Sequence, residues 1–307
     1  MMGEKQFYDL VVLGGGPAGV TAALYAVRAG LSVVILEKMM LGGEIVSTDR
    51  LDNFPAFPEG VSGAEFGMFL QQQTANFNIP VQTAEIEKAS LNSEIKRVST
   101  SGGEYESKTV LIATGTEPNL LGAEGEKELL GRGVSYCATC DAAFFRDREV
   151  AVVGGGNAAL EETVYLDRFA SKIYLIHRRD QFRGVKSLQD KVLSLPGVEV
   201  LFNTTVSKIE GEDKVSGLRI KQDGADRFLD VDGVFIYAGR TANAPYLEKE
   251  VIDVGNNGFI VTNEKMETSL PGVYAAGDIR QKYLRQVITA AADGAIAATA
   301  AAQFVFA

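Results

Sequence analysis

Only two cysteines and one histidine occur among the 307 residues of this chain, which leaves a structural zinc site, with its four Cys or His ligands, short of ligands. A membrane span is missing as well. The nearest approach to one, the Ala-rich end from Thr289 to Ala307, is broken by Asp293 and reads as a buried helix. The N-terminus, Met1-Met2-Gly3-Glu4-Lys5-Gln6, has neither the basic region nor the apolar region of a secretory signal, so a cytoplasmic protein is expected. There is no basic run, and 40 acidic against 30 basic residues give a formal net charge of −10, which argues against nucleic acid and anionic membrane as partners. What the composition does supply is 46% hydrophobic residues, enough over this length for two domains with well-formed cores.

The two cysteines stand three positions apart, in Cys137-Ala138-Thr139-Cys140. Thiols at this spacing can close a small disulfide ring and so store and release two electrons without large backbone movement. In a reducing compartment a lone pair of cysteines favours a catalytic over a structural role. The motif reads as a redox centre; a surface disulfide or two unrelated thiols is the blander alternative, and the nucleotide signals on either side weigh against it.

The first of those signals is a short apolar run, Asp9 to Leu13, that enters Gly14-Gly15-Gly16-Pro17-Ala18-Gly19 and then an Ala-rich helical stretch from Val20 to Ala29. A second run, Ser32 to Leu36, ends in Glu37. This is a strand, Gly-rich turn, helix and strand with an acid at the second strand's end. The glycines let backbone approach a pyrophosphate at the positive end of the helix, and Glu37 can accept hydrogen bonds from a ribose diol. The pattern recurs about 140 residues later. Glu149 to Val153 enters Gly154-Gly155-Gly156-Asn157-Ala158-Ala159, a helical stretch runs from Leu160 to Phe169, and the strand Lys172 to Ile176 ends in His177-Arg178-Arg179. An acid at that strand end repels a ribose 2′-phosphate, whereas a fork of arginines binds one. The first site therefore suits FAD and the second NADPH.

Two further apolar strands, Thr109 to Gly115 and Val231 to Gly239, are each followed by breakers, Glu117-Pro118 and Asn243-Ala244-Pro245. They mark chain crossings. The expected class is α/β with two Rossmann-like dinucleotide-binding domains, the second inserted into the first: residues 1–117 and 245–307 for FAD, and 118–244 for NADPH and the CxxC pair. A strand from Gly272 to Ala276, followed by Gly277-Asp278, returns to the first domain.

In this order the motifs resemble the low-molecular-weight thioredoxin reductases over nearly the whole chain. The resemblance rests on the two Gly-rich turns, Gly42-Gly43, Asn53-Phe54-Pro55, Ala113-Thr114-Gly115, Cys137-Ala138-Thr139-Cys140-Asp141, His177-Arg178-Arg179-Asp180-Gln181-Phe182-Arg183 and Tyr274-Ala275-Ala276-Gly277-Asp278. It departs at Glu44, where the family usually has Gln, at Asn157-Ala158-Ala159, and in ending at Ala307. The resemblance implies a homodimeric flavoprotein that passes electrons from NADPH through FAD to its own disulfide and on to thioredoxin, its inserted domain rotating between the two steps. It implies that Cys140 faces the flavin, that Cys137 attacks the external disulfide, and that Arg178, Arg179 and Arg183 hold the 2′-phosphate with His177 orienting the loop. Asp278, Arg285 and Gln286 are expected toward the flavin. Asp141 is either the acid that protonates the leaving thiolate or a helix cap before Ala142. A related flavin disulfide reductase with another partner, and a redox sensor that does not turn over, are the competing readings.

Overall fold

The computed structural model describes residues 6–48, 51, 53–248, 251–255 and 258–307, apart from the side chains of Thr139 and Cys140. Strand β1 (Gln6–Leu13) is wholly buried over its last four residues. Such an apolar run suits a strand covered on both faces of a parallel sheet. It turns into helix α1 (Pro17–Arg28), whose first turn carries a proline where the missing N–H is no loss, and β2 (Val33–Glu37) follows. A reciprocal capping box between Ser62 and Glu65 opens α2 (Gly63–Asn76). Next come β3 (Val81–Thr83), β4 (Ile86–Ser90), β5 (Lys96–Thr100) and β6 (Gly103–Ile112), and the short β7 (Thr116–Pro118) leads out of this part of the chain.

The middle of the chain holds β8 (Val134–Ser135), the one-turn helix α3 (Ala138–Asp141), β9 (Glu149–Val153), α4 (Asn157–Leu166), β10 (Lys172–Ile176), α5 (Lys186–Leu193) and β11 (Val198–Leu201). Then come β12 (Thr204–Gly211), β13 (Val215–Gln222), β14 (Ala225–Leu229) and β15 (Gly233–Ile236). Strand β16 (Arg240–Ala242) pairs with β7, so the outgoing and returning crossings form one two-stranded ribbon. The chain ends with β17 (Val273–Ala275) and α6 (Val287–Phe306).

These elements make two compact units, Met1–Glu117 with Thr241–Ala307, and Pro118–Arg240. In the first, a seven-stranded sheet runs β3-β2-β1-β6-β5-β4 with β17 also on β6. Strands β3, β2, β1, β6 and β17 are parallel, while β4, β5 and β6 pair antiparallel. In the second, β11-β10-β9-β15-β8 form an all-parallel sheet beside the antiparallel β12-β13-β14. The expected α/β class with an inserted second unit is the architecture found. The return to the first unit falls at Thr241 rather than at 245. Asn243 explains the difference: its N–H donates to Gly115 O at 3.0 Å and its carbonyl accepts the Thr114 hydroxyl at 2.6 Å, tying the segment to the first unit ahead of Pro245.

Helix α6 is long and apolar enough to cross a membrane by length and composition alone. Here Ala290, Ala297, Ala298 and Ala301 are buried in the first unit's core. A Cβ on Gly294 would stand 2.1 Å from Ala18 O, so α6 packs backbone to backbone against α1. Asp293, which interrupts the apolar stretch, is 6% exposed and is held by three donors. Arg280 Nη1 reaches it at 2.8 Å, Lys282 Nζ at 2.6 Å and the Gly277 N–H at 3.1 Å. Replacing Asp293 by Ala leaves two largely covered cations, Arg280 and Lys282, without their shared carboxylate. A loss of about 3–5 kcal/mol is expected, read as a lower midpoint in guanidinium unfolding, and an unchanged midpoint would show that the triad carries no stability.

Candidate functional site

The parallel strands of each unit deliver the expected site residues to one sheet edge, the carboxyl end, where open α/β sheets bind ligands. In the first unit β1 leads into Gly14, β2 ends at Glu37, β6 leads into Ala113 and β17 ends just before Gly277-Asp278. Gly14 has φ +99°, and a Cβ there would lie 2.6 Å from Ala113 O. Gly42 N donates to Gly15 O at 2.8 Å, and Gly43 packs onto Gly16, its would-be Cβ 3.1 Å from Gly16 Cα. Two glycine turns thus abut and leave a floor of bare backbone before the first turn of α1. Gly16 is the N-cap of α1 and makes no side-chain cap bond. Gly277 also meets that turn, its would-be Cβ 3.0 Å from Ala18 Cβ, so a segment from the far end of the sequence packs on the start of α1.

Glu37 accepts from Gly15 N at 2.7 Å and from Met39 N at 2.9 Å, which aims its carboxylate along the Gly-rich turn. Beside it opens a cleft of about 290 Å³ lined by Met39, Met40, Leu41, Ile79 and Thr83 among others. Nothing in the sequence pattern marks these residues, because their apolar side chains read as core. Asn53 Nδ2 donates to Gln286 Oε1 at 2.9 Å, joining two expected site residues 233 positions apart. Arg285 makes contacts that its place in the sequence does not foretell. Its guanidinium lies 3.9 Å over the Phe259 ring and donates to Asp278 O and Arg280 O, so it clamps the loop that carries Asp278.

In the second unit β9 leads into Gly154 and β10 into His177. His177 is buried, and a Cβ on Gly155 would fall 2.3 Å from its Nδ1, so the imidazole packs flat beneath the second Gly-rich turn. Arg183 N and Gly184 N both donate to Gly155 O, at 2.7 and 3.2 Å, and Asn157 Oδ1 accepts from Val185 N at 2.8 Å. These bonds stitch the arginine segment to the turn. Gly156 and Ala158 stay open at the start of α4, with no atom within 4 Å of a Cβ built on Gly156. Arg178, Arg179 and Arg183 are exposed, and among the described residues none has an ion-pair partner. Burial first, and then the charges of Arg183, Arg179 and Arg178, hold the His177 pKa below its ordinary value.

The cysteine motif leaves the same edge. Strands β8 and β9 flank β15, so the redox helix α3 and the second Gly-rich turn start two strand positions apart, about 10 Å at ordinary strand spacing. Cys137 is disulfide-bonded, and the chain offers one other cysteine, Cys140, whose side chain lies outside the described residues. Ser135 Oγ bonds both Cys137 N and Cys137 O. The buried Glu126 accepts from Tyr136 OH, Leu121 N and Gly122 N and so fixes the approach to the motif. Asp141 sits at the N-cap of the turn Ala142–Phe145 but makes no capping bond, so the capping alternative finds no support.

Residues 8–294 match the pyridine nucleotide-disulphide oxidoreductase family. The chain belongs to this family. Curated thioredoxin reductases from Listeria monocytogenes and Bacillus subtilis are each 41% identical to it over 99% of this chain and 96% of their own length. The crystal structure of Lactococcus lactis thioredoxin reductase superposes with a TM-score of 0.91 at 34% identity, covering 97% of this chain and 99% of that one. Within the family the chain is therefore placed with the low-molecular-weight thioredoxin reductases, oxidoreductases that use FAD and NADPH. The residues present fit both cofactors: the first unit offers bare backbone, an acid and an apolar cleft, and the second a Gly-rich turn with unpaired guanidiniums.

His177 is the only histidine, so it is the one side chain whose ordinary pKa lies between pH 5 and 7. Its folded pKa is lowered, so the unfolded chain binds the proton more readily, and the stability present at pH 7 declines as pH falls through the ordinary histidine value. In His177→Gln the unfolding free energy should change less between pH 7.5 and 5.5 than in the parent, measured by urea unfolding. An identical decline in both proteins would assign it to other groups.

Proposed function

We propose that NADPH binds the second unit with its 2′-phosphate on Arg178, Arg179 and Arg183 and its pyrophosphate on Gly154, Gly156, Asn157 and Ala158, while FAD binds the first. There Gly14, Gly16, Pro17, Ala18 and Gly19 take the flavin's pyrophosphate, Glu37 its adenosine ribose, and Gly42, Gly43, Asn53, Ala113, Thr114, Gly115, Gly277, Asp278, Arg285 and Gln286 line or support its remainder. When bound, FAD supplies the two-electron chemistry between nicotinamide and disulfide. Cys140 receives the electron pair, Cys137 attacks the disulfide of a thioredoxin-like protein, and Asp141 donates the proton that the leaving thiolate takes up. The observation that carries this reading is the shared carboxyl edge of the second sheet, which presents a disulfide, a dinucleotide turn and uncompensated arginines on one unit.

Both reaction partners of the flavin then lie on the second unit and must take turns at it. The β7–β16 ribbon is where the chain crosses between units, and turning about it is the motion proposed. By resemblance the enzyme works as a homodimer, in the cytoplasm, without nucleic acid or membrane.

Replacing Arg178 and Arg179 together with Ala tests the cofactor assignment. Hydrogen bonds to charged groups contribute about 1.5–3 kcal/mol each, so even one lost phosphate contact should lower kcat/KM for NADPH by about ten- to a hundredfold while the value for NADH barely moves. Steady-state reduction of a thioredoxin with each cofactor reads the ratio. Equal losses with NADPH and NADH would remove the arginines from the 2′-phosphate site.

A further inference from the structure

The turn of residues 53–57 joins two helices of the first unit that flank the start of α1. On one side Phe54 and Phe57 pack on α2: Phe54 meets Phe66 edge-on with 5.3 Å between ring centroids, and Phe57 stacks on Phe69 at 6.1 Å. On the other side the Asn53 amide donates to Gln286 Oε1 at 2.9 Å, and the same Gln286 side chain caps α6 in a reciprocal box with Thr289. Each helix supports one wall of the bare-backbone floor. A Cβ on Gly42 would lie 3.1 Å from Gly67 Cα on α2, and one on Gly277 would lie 3.7 Å from Ala290 Cβ on α6. The Asn53–Gln286 bond therefore ties the Gly42-Gly43 side of the site to the Gly277-Asp278 side.

The turn makes this bridge under strain. Ala56, directly after Pro55, has φ +80°. Four of the six non-glycine residues with positive φ among the described residues are Asn or Asp, which adopt it at least cost, and Met266 is held by a side chain only 4% exposed. Ala56 is exposed and has neither compensation. A turn with proline at its second position and positive φ at its third ordinarily takes glycine there. The phenylalanine packing and the Asn53–Gln286 bond thus hold the turn closed against a backbone that relaxes on opening.

We propose that this turn is a sprung latch on the path by which FAD enters and leaves the first unit, closed by the Asn53–Gln286 hydrogen bond and biased toward opening by Ala56. This rests on the reading of the first unit as the FAD site. The bond and the strain both lie between protein groups, so they act whether FAD is bound or free. A latch of this kind changes the entry and exit of FAD by the same factor and leaves its Kd alone. A residue that only touches FAD changes exit and Kd together.

The test uses the FAD-loaded protein. Exchange of bound FAD for isotopically labelled FAD in excess, followed by mass measurement, gives the exit rate; equilibrium dialysis gives Kd, and the ratio of the two gives the entry rate. In Ala56→Gly, which removes the strain, exit and entry should both slow by about fivefold. In Asn53→Ala, which breaks the latch bond, both should quicken by about fivefold, as expected for one net hydrogen bond. Kd should stay within about twofold of the parent in each variant. An exit rate in Ala56→Gly within about twofold of the parent overturns the proposal. So does a Kd in Asn53→Ala that rises in step with exit, which would make Asn53 a plain FAD contact. A parent protein that takes up no FAD would instead remove the functional reading on which the latch stands.

Discussion

A Cβ on Gly19 would stand 1.9 Å from the carbonyl oxygen of Gly14, and the first unit depends on that closeness. Only with the helix backbone pressed against the end of β1 can α1 start directly over the sheet edge, with its unpaired N–H groups facing outward. The same contact lets Gly42-Gly43 and Gly277-Asp278 close on the turn from either side. The second unit repeats the arrangement with a different filler: the His177 imidazole takes the space that a side chain on Gly155 would need. One steric rule thus produces two turns of bare backbone, and the next strand ends at Glu37 beside the first and leads into the arginine segment beside the second.

Parallel strands bring chemistry together because they share a direction. In the second unit that direction puts Ser135, Ile236, Val153 and Ile176 at one edge, so the cysteine motif, Tyr237, the Gly-rich turn and the arginines all emerge side by side. Tyr237 touches both the Gly-rich turn and the cysteine motif, its backbone carbonyl and Cβ against Gly154 and its hydroxyl on the Ala138 N–H. The first unit supplies a binding edge of the same design but no redox side chain of its own, since both cysteines lie on the second.

Much of this is legible in the sequence where an apolar run meets a Gly-rich turn. Strands Glu149–Val153 and Lys172–Ile176 fall on the expected residues, because a strand buried on both faces is apolar throughout and the turn ends it sharply. The antiparallel strands carry a weaker signal. In β12 polar residues outnumber apolar ones, and in both β12 and β14 most side chains are exposed or half-exposed, so no periodic signal rises above loop composition. Site residues far apart in sequence show the same limit. Tyr237 reads as one more apolar position in the expected strand Val231 to Gly239, and only folding brings it to Ala138, 99 residues away. The stacking of Arg285 on Phe259 and its bonds to two carbonyls are likewise properties of the folded loop.

The central claim is that electrons from NADPH pass beyond the flavin to the Cys137–Cys140 pair. Anaerobic titration of the FAD-loaded protein with NADPH, in the presence of a system that regenerates and thus drives the cofactor, counts the electron pairs the protein accepts. Two pairs per FAD are predicted, with free thiols appearing as the second is taken up, and one pair in Cys137→Ser. Uptake of a single pair by the unmodified protein, with its disulfide intact at the end point, would contradict the account.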